Sequence, residues 1–410
     1  SCRNIGPCMK FSAQISQAID RCLTDEIPFV AFAMPGEAEV CFRASLPDGQ
    51  FRSPAFRDKE SDSFFINFFD NDEPYTAGVS FDMTEEEVNN FHDPTYHARI
   101  FGDSIRPRVS STFRASYHEA FSAVKPRLKK DGGKVVLSRL RSLFTKKTPR
   151  LIAEEYFALT DSTFRYLCFT PETGVWLGST PEVLLESDRA TGLIRTMSLA
   201  GTRPADESGD WDEKNIREQA IVTDYICHTL RNAGLEVEIR PLTERRFLNI
   251  KHLCTPIDAR GDVSIPELMS ALSPTPAVAG YPRERAIGEI GRVETHRRHC
   301  YGGYVGVRIG GDYHAFVNLR CAFMAPVTLS GTKGWLGNLY AGGGIIAASQ
   351  EDAEWLETES KTRVLASVFL GENGHEGEEG SRLTRSSVSF LSDLPPSGHD
   401  DGQPVNSAGI

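Results

Sequence analysis

The 410-residue chain is 40% hydrophobic and 25% charged with a formal net charge of −11, the proportions of a globular chain with a sizeable core. So acidic a balance excludes a general nucleic-acid or anionic-membrane binder, because counterion release needs a basic face; an anionic substrate would require a local cationic pocket. The 9 cysteines are odd in number and scattered, with no CxxC pair or Cys/His grouping of metal-ligand spacing, and read as reduced thiols in a cytoplasm.

No run approaches the roughly 18 apolar residues of a membrane span, and no basic segment leads into an apolar core at the N-terminus. Met9 reads as the natural start, and residues 1–10 as disordered. From Phe11 to Arg108, apolar runs such as IPFVAFAM and SFFINFFD alternate with polar turns such as LPDGQ, which predicts strands. Ser116 to Leu128 (SYHEAFSAVKPRL) has helical spacing, and the β-branched run KVVLSRL after KKDGG predicts a buried strand with Lys134 at its entrance. Further strands are predicted in RYLCFTP, GVWLGSTPEVLLES and LIRTMSLAGT.

A helix is predicted from Asp212 to Ala233, with Asp210 as N-cap, Glu213 as its capping-box partner and Gly234 at the stop. A second runs from about Gln350 to Leu370, with Ser349 and Asp352 in the capping pattern and an apolar stripe of Trp355, Thr362, Leu365 and Phe369. Residues 371–410 turn to Gly, Ser, Pro, Asp and Glu, a composition that buries too little apolar surface to offset ordering entropy, and a disordered tail is expected.

Four separated segments place charged or glycine-rich elements beside apolar strands: GGKVVLSRL, LGSTPEVLLES, NIREQAIV, and LYAGGGI with AEWLETESK. Each has an ordinary reading. A strand-start lysine such as Lys134 is commonly a solvated edge residue; as a catalytic base it must give up its proton, which burial or nearby cations favour. Glu182 after Pro181 is ordinarily a turn carboxylate; as a general acid it needs an apolar pocket, which Val183, Leu184 and Leu185 would help to build.

Glu354, Glu357 and Lys361 share one helix face by spacing, which fits either a solvated face with an i,i+4 ion pair or a carboxylate set for Mg²⁺ completed by Glu218 from the other helix. The glycines of AGGGI precede a helix and make either a tight turn or a cradle of backbone N–H groups for a carboxylate. They are not a phosphate-binding loop, since no Gly-Lys-Ser/Thr follows.

Taken together, KVVLSR, STPEVLL, SLAGTRP, REQ within a helix, KHLCTPI, LSPTPAVAGYPRE, YGGYVG, NLRCAF, LYAGGGI and EWLETESK resemble the chorismate-utilising enzymes, a family that includes anthranilate, aminodeoxychorismate, salicylate and isochorismate synthases. The resemblance covers about Ser111 to Leu370 and is nearest the isochorismate synthases. It implies an α+β fold of two large, mostly antiparallel sheets packed face to face with helices outside. Residues 111–370 would be the catalytic domain, and 11–110 a variable part of the same core.

By position, the resemblance makes Lys134 the base that activates water for attack at C2 of chorismate. Glu182 becomes the acid that protonates the departing C4 hydroxyl, and Glu218, Glu357 and Glu354 the Mg²⁺ ligands. Ala200, Gly201, Thr202, His252, Arg320, Tyr340, Gly342, Gly343, Gly344 and Lys361 become substrate-binding groups. Ala200 stands where aminodeoxychorismate synthases often carry an adduct-forming lysine. Ser273 and Arg297 depart from the family pattern, in which histidine and an acidic residue are usual. The implied activity is isochorismate synthesis for menaquinone or a siderophore, with no glutaminase subunit, no nucleic acid and no membrane, in a monomer or homodimer. A salicylate synthase, which goes on to expel pyruvate, and a non-catalytic chorismate binder are the alternatives.

Overall fold

Apolar residues at alternate positions, and runs apolar on both faces, draw most of the chain into strands. The computed structural model describes residues 10–45, 61–69, 76–92, 106–371 and 388–390. Helix α1 (Ala13–Asp25) leads to strands β1 (Phe29–Ala33), β2 (Cys41–Ala44), β3 (Ser63–Asn67) and β4 (Thr76–Ser80), then helices α2 (Glu85–Asn90) and α3 (Arg114–Asp131). Next come β5 (Lys134–Thr145), α4 (Pro149–Leu159), β6 (Phe164–Thr170), β7 (Gly174–Thr180), β8 (Val183–Asp188), β9 (Leu193–Pro204) and α5 (Glu213–Asn232). The chain continues through β10 (Glu236–Ile239), β11 (Thr243–Phe247), β12 (Ile250–Arg260), α6 (Ile265–Leu272), β13 (Gly280–Tyr281) and α7 (Arg283–Val293). It ends with β14 (Tyr304–Ile309), β15 (Asp312–Val317), β16 (Cys321–Leu329), β17 (Thr332–Ile345), α8 (Glu351–Leu370) and β18 (Val388–Phe390).

All strand pairs among the described residues are antiparallel. One sheet has the order β13-β5-β17-β16-β7-β6-β1-β2, with β18 also on β16. The other has the order β10-β12-β9-β8-β15-β14-β3-β4, with β11 also on β12. Their inner faces share one apolar cluster that includes Val30, Phe64, Tyr166, Phe323 and Tyr340. The rings of Phe164 and Phe316, one from each sheet, stack 4.5 Å apart. Helices α1, α4 and α8 cover the outer face of the first sheet, and α5 and α6 that of the second. This layering is the α+β architecture anticipated from the sequence.

Several local expectations are corrected. Helix α5 is capped by Asp212, whose carboxylate accepts the Asn215 N–H at 2.7 Å, so Asp210 and Glu213 form no capping box. Helix α8 has Gln350 at its N-cap without a side-chain hydrogen bond, because Ser349 Oγ is taken by the Ile346 N–H at 3.0 Å. Of its expected stripe, Leu365 and Phe369 are buried, whereas Trp355 is only partly covered, with the Arg139 guanidinium 3.2 Å from its ring centroid. In the tail, Val388–Phe390 form a strand on β16; three residues of good strand chemistry were hidden by the averaged composition around them. The remainder of the expected tail, and residues 1–9, lie outside the described residues.

Candidate active site

The seam where the chain passes between the two sheets collects the charged residues. Glu182 stands on the crossing from β7 in the first sheet to β8 in the second, and Arg320 on the return from β15 to β16. Arg320 has φ +50°, a left-handed conformation that is costly for a non-glycine residue and here re-aims its side chain. Its Nη2 donates to His252 Nε2 at 3.1 Å and its Nη1 to the Lys361 carbonyl at 3.3 Å.

A bulge in β9 completes the opposite wall. His252 pairs with Thr202 and Leu253 with Ala200, which leaves Gly201 as the extra residue at φ +73°. Its carbonyl turns toward His252 Nδ1, 3.1 Å away. Since arginine can only donate, Nε2 of His252 is the acceptor, and Nδ1 carries the proton shared between Gly201 O and Thr202 Oγ1. Burial and the charges of Arg320 and Lys361 hold the His252 pKa well below its usual range, so the imidazole stays neutral.

Glu182, Ala200, Gly201, Thr202, Glu218, His252, Arg320, Tyr340, Gly342, Gly344 and Lys361 line one cleft. The structure thus brings together most of the residues singled out in the sequence. Tyr301, which stacks on Tyr340 at 5.1 Å, joins them and was missed. Lys134 lies directly behind the cleft wall, fully buried, with Nζ 2.9 Å from Glu218 Oε1 in an ion pair that falls short of an aligned hydrogen bond.

The glycines are not a turn. Gly342, Gly343 and Gly344 are extended residues of β17, paired with Ser138, Leu137 and Val136 of β5. Beyond Leu339 no described strand pairs with the opposite edge of β17, so that edge borders the cleft. Their function is to leave space. A Cβ on Gly342 would stand 2.6 Å from Tyr301 OH, and one on Gly344 would overlap Glu218 Oε1. Lys361 Nζ donates to the Gly342 carbonyl at 2.7 Å and to Glu357 Oε1 at 2.6 Å, which realises the i,i+4 pair of helix α8.

Burial raises the Glu182 pKa to about 8, even though Lys134, Lys361 and Arg320 pull it down. Its carboxyl is therefore protonated at neutral pH. Burial also pushes Glu218 up, but Lys134 and Lys214 outweigh it and hold Glu218 ionised below the usual carboxylate range.

Glu354 and Glu357 open onto an adjoining cavity that shares Thr202 with the cleft. Among the described residues no three acidic, histidine or cysteine side chains converge as a metal cluster in the chain by itself. The donors nonetheless suit Mg²⁺, which takes hard oxygens and few carboxylates. Glu354 Oε2 is buried without an aligned hydrogen-bond partner, and burial and the charge of Glu357 raise the Glu354 pKa even though Lys214 pulls it down. Lys214, which the sequence reading passed over, sits 3.0 Å from both Glu218 Oε2 and Glu354 Oε1. Its i,i+4 spacing to Glu218 on α5 was the available signal. Of the two departures from the family pattern, Arg297 is exposed and Ser273 caps α6; neither lines the cleft.

A buried carboxylic acid in the cleft, a buried lysine directly behind its wall, and the cations Arg320 and Lys361 beside them are the groups that proton transfer on a small anionic molecule would use. Residues 72–370 match the chorismate binding enzyme family, and the chain belongs to it. It is 31% identical over 224 residues to the isochorismate synthase MenF of Haemophilus influenzae, a match covering 51% of this chain and 49% of that protein. It is 30% identical over 253 residues to the isochorismate synthase EntC of Escherichia coli, covering 58% of this chain and 62% of that one. The chain thus spans about half to three-fifths of the length of these curated relatives. The solved structure of Escherichia coli MenF superposes with a TM-score of 0.68 at 20% identity, over 88% of this chain and 91% of that chain. Anthranilate synthase component I from Streptococcus pneumoniae gives 0.55 at 15% identity, over 82% and 89%. These two structures show the shared fold.

Proposed function

We propose that the chain is an isochorismate synthase, converting chorismate to isochorismate with Lys134 as base and Glu182 as acid. The observation that carries the reading is Glu182, a carboxyl buried on the crossing between the two sheets, its pKa raised to about 8 by that burial, in a cleft that it shares with the cations Arg320 and Lys361. In its neutral form, Lys134 accepts a proton from the water that attacks C2. The ring double bonds shift, the C4–O bond breaks, and Glu182 gives its proton to the departing hydroxyl, which leaves as water. One water enters and one departs, so exchanging the two roles gives the reverse reaction.

Chorismate is a dianion, and Arg320, Lys361 and the backbone along the open edge of β17 would hold its carboxylates. Glu218, Glu354 and Glu357 would hold Mg²⁺, which when bound supplies charge neutralisation for a substrate carboxylate. Water rather than ammonia is the nucleophile, so no glutaminase subunit is required, and a monomer or homodimer suffices. The cysteines among the described residues are unbridged, which fits a reducing cytoplasm. Among the described residues no helix is long and apolar enough to cross a membrane.

The test is a time course with chorismate and Mg²⁺ near neutral pH, products separated by chromatography. Isochorismate should rise to a plateau alongside residual chorismate. Salicylate and pyruvate rising at equal rates would make the chain a salicylate synthase, and a chorismate-dependent rise in melting temperature without turnover would make it a binding protein.

A further inference from the structure

Lys214 occupies an unusual position for a helix lysine. It lies one turn before Glu218 on α5, and its ammonium bridges Glu218 Oε2 and Glu354 Oε1, an oxygen of α8, at 3.0 Å each. Both carboxylates are nearly fully buried, the other oxygen of Glu218 is taken by Lys134, and the other oxygen of Glu354 has no hydrogen-bond partner. Without Lys214 the two helices would bring buried anions together with too little positive charge between them, an arrangement that is strongly destabilising in proteins. Glu218 and Glu354 are also two of the three residues proposed above as Mg²⁺ ligands, and this inference rests on that reading.

A divalent ion held by Glu218 and Glu354 would compete with Lys214 for the same two carboxylates. Mg²⁺ binds carboxylate oxygen at about 2.0–2.1 Å. An ammonium still bridging the same two oxygens would be left close to a divalent ion with no screening water between them. Lys214 has somewhere to go, because its side chain also lines the adjoining cavity of about 870 Å³.

We infer that Lys214 is a built-in counter-cation: it holds Glu218 and Glu354 together in the metal-free chain and is displaced into the adjoining cavity when a divalent ion binds. Metal binding is then an exchange of one cation for another, and its apparent affinity is lowered by the free energy of the Lys214 ion pairs.

The experiment is thermal melting of the full chain, titrated with MgCl₂ after chelator treatment, with no substrate. Lys214→Met should melt below the wild type in chelator, show a larger Mg²⁺-dependent rise at a given concentration, and begin to rise at a Mg²⁺ concentration about tenfold lower. Lys214→Arg, which keeps the charge and pairs bidentately with carboxylates, should respond to Mg²⁺ less than the wild type does and supplies the test if the methionine variant does not fold. A wild type that responds while Lys214→Met responds equally or less overturns the inference and leaves the metal site standing. No response in any of the three proteins overturns both.

Discussion

Gly344 and Glu218 are packed so closely that a side chain on the glycine has no room: a Cβ there would overlap Glu218 Oε1 and lie 2.5 Å from Lys134 Cε. The strand thereby leaves space for the buried Lys134–Glu218 pair. Gly344→Ala should push that pair apart, reducing turnover on the order of a hundredfold, the scale set by roughly 1 Å misplacements. The overpacking should cost about 1–3 kcal/mol of stability. Chorismate kinetics and a denaturant melt check both; near-wild-type turnover would show that the pair tolerates displacement.

As the proposed acid, Glu182 should set the alkaline limit of the reaction. Its pKa is raised to about 8, so the proton-bearing form prevails below that pH and is lost above it. The rate should therefore fall as pH rises through about 8, by about tenfold per unit beyond it. Glu182→Gln keeps a neutral side chain of the same shape but has no proton to give, and should lose about 10²- to 10⁴-fold in kcat. A wild-type kcat/KM that stays flat to pH 9.5 would remove Glu182 from the acid role.

Lys134→Gln keeps a hydrogen-bond donor and removes the basicity at the other side of the proposed reaction. The amide can still donate to Glu218, whose second oxygen keeps Lys214 at 3.0 Å, so the fold should persist. It cannot accept a proton from water, so isochorismate formation should be abolished. Circular dichroism and product chromatography on the same sample decide it: a folded variant with wild-type turnover would reassign the base.

Much of this site was readable in advance because its residues sit in distinctive runs; Lys134, Glu182, Glu218, Arg320 and Lys361 were each marked by the segments around them. Of the two readings offered for the glycines of AGGGI, the tight turn fails, because local sequence cannot tell glycine used for φ freedom from glycine used for close approach, and only the positions of Glu218 and Tyr301 reveal the latter. Lys214 was overlooked because i,i+4 spacing finds its bond to Glu218 but not the one to Glu354, which arrives from another helix 140 residues later. The strand order has the same character. The alternation of apolar residues gives strands, whereas the sheet in which β3 or β14 lies is decided by packing at long range.

Arg320→Lys tests whether charge alone holds the substrate. The guanidinium now performs three tasks at once: it donates to His252 Nε2, donates to the Lys361 carbonyl, and lies 4.9 Å from the centroid of the Phe247 ring. Lysine preserves the positive charge and meets the same backbone requirement at φ +50°, since the penalty there does not distinguish one long side chain from another. What it lacks is the planar fork that reaches two acceptors together and stacks on an aromatic ring. His252 would then lose the donor that fixes its tautomer, and its ring would be free to turn within the wall formed by Gly201 and Thr202. Lys134 and Glu182, the proposed proton-transfer groups, remain in place. The loss should therefore fall mainly on binding, with KM rising about 10- to 100-fold and kcat changing less than about tenfold. A fall in kcat at unchanged KM would instead make Arg320 part of transition-state stabilisation rather than of substrate capture.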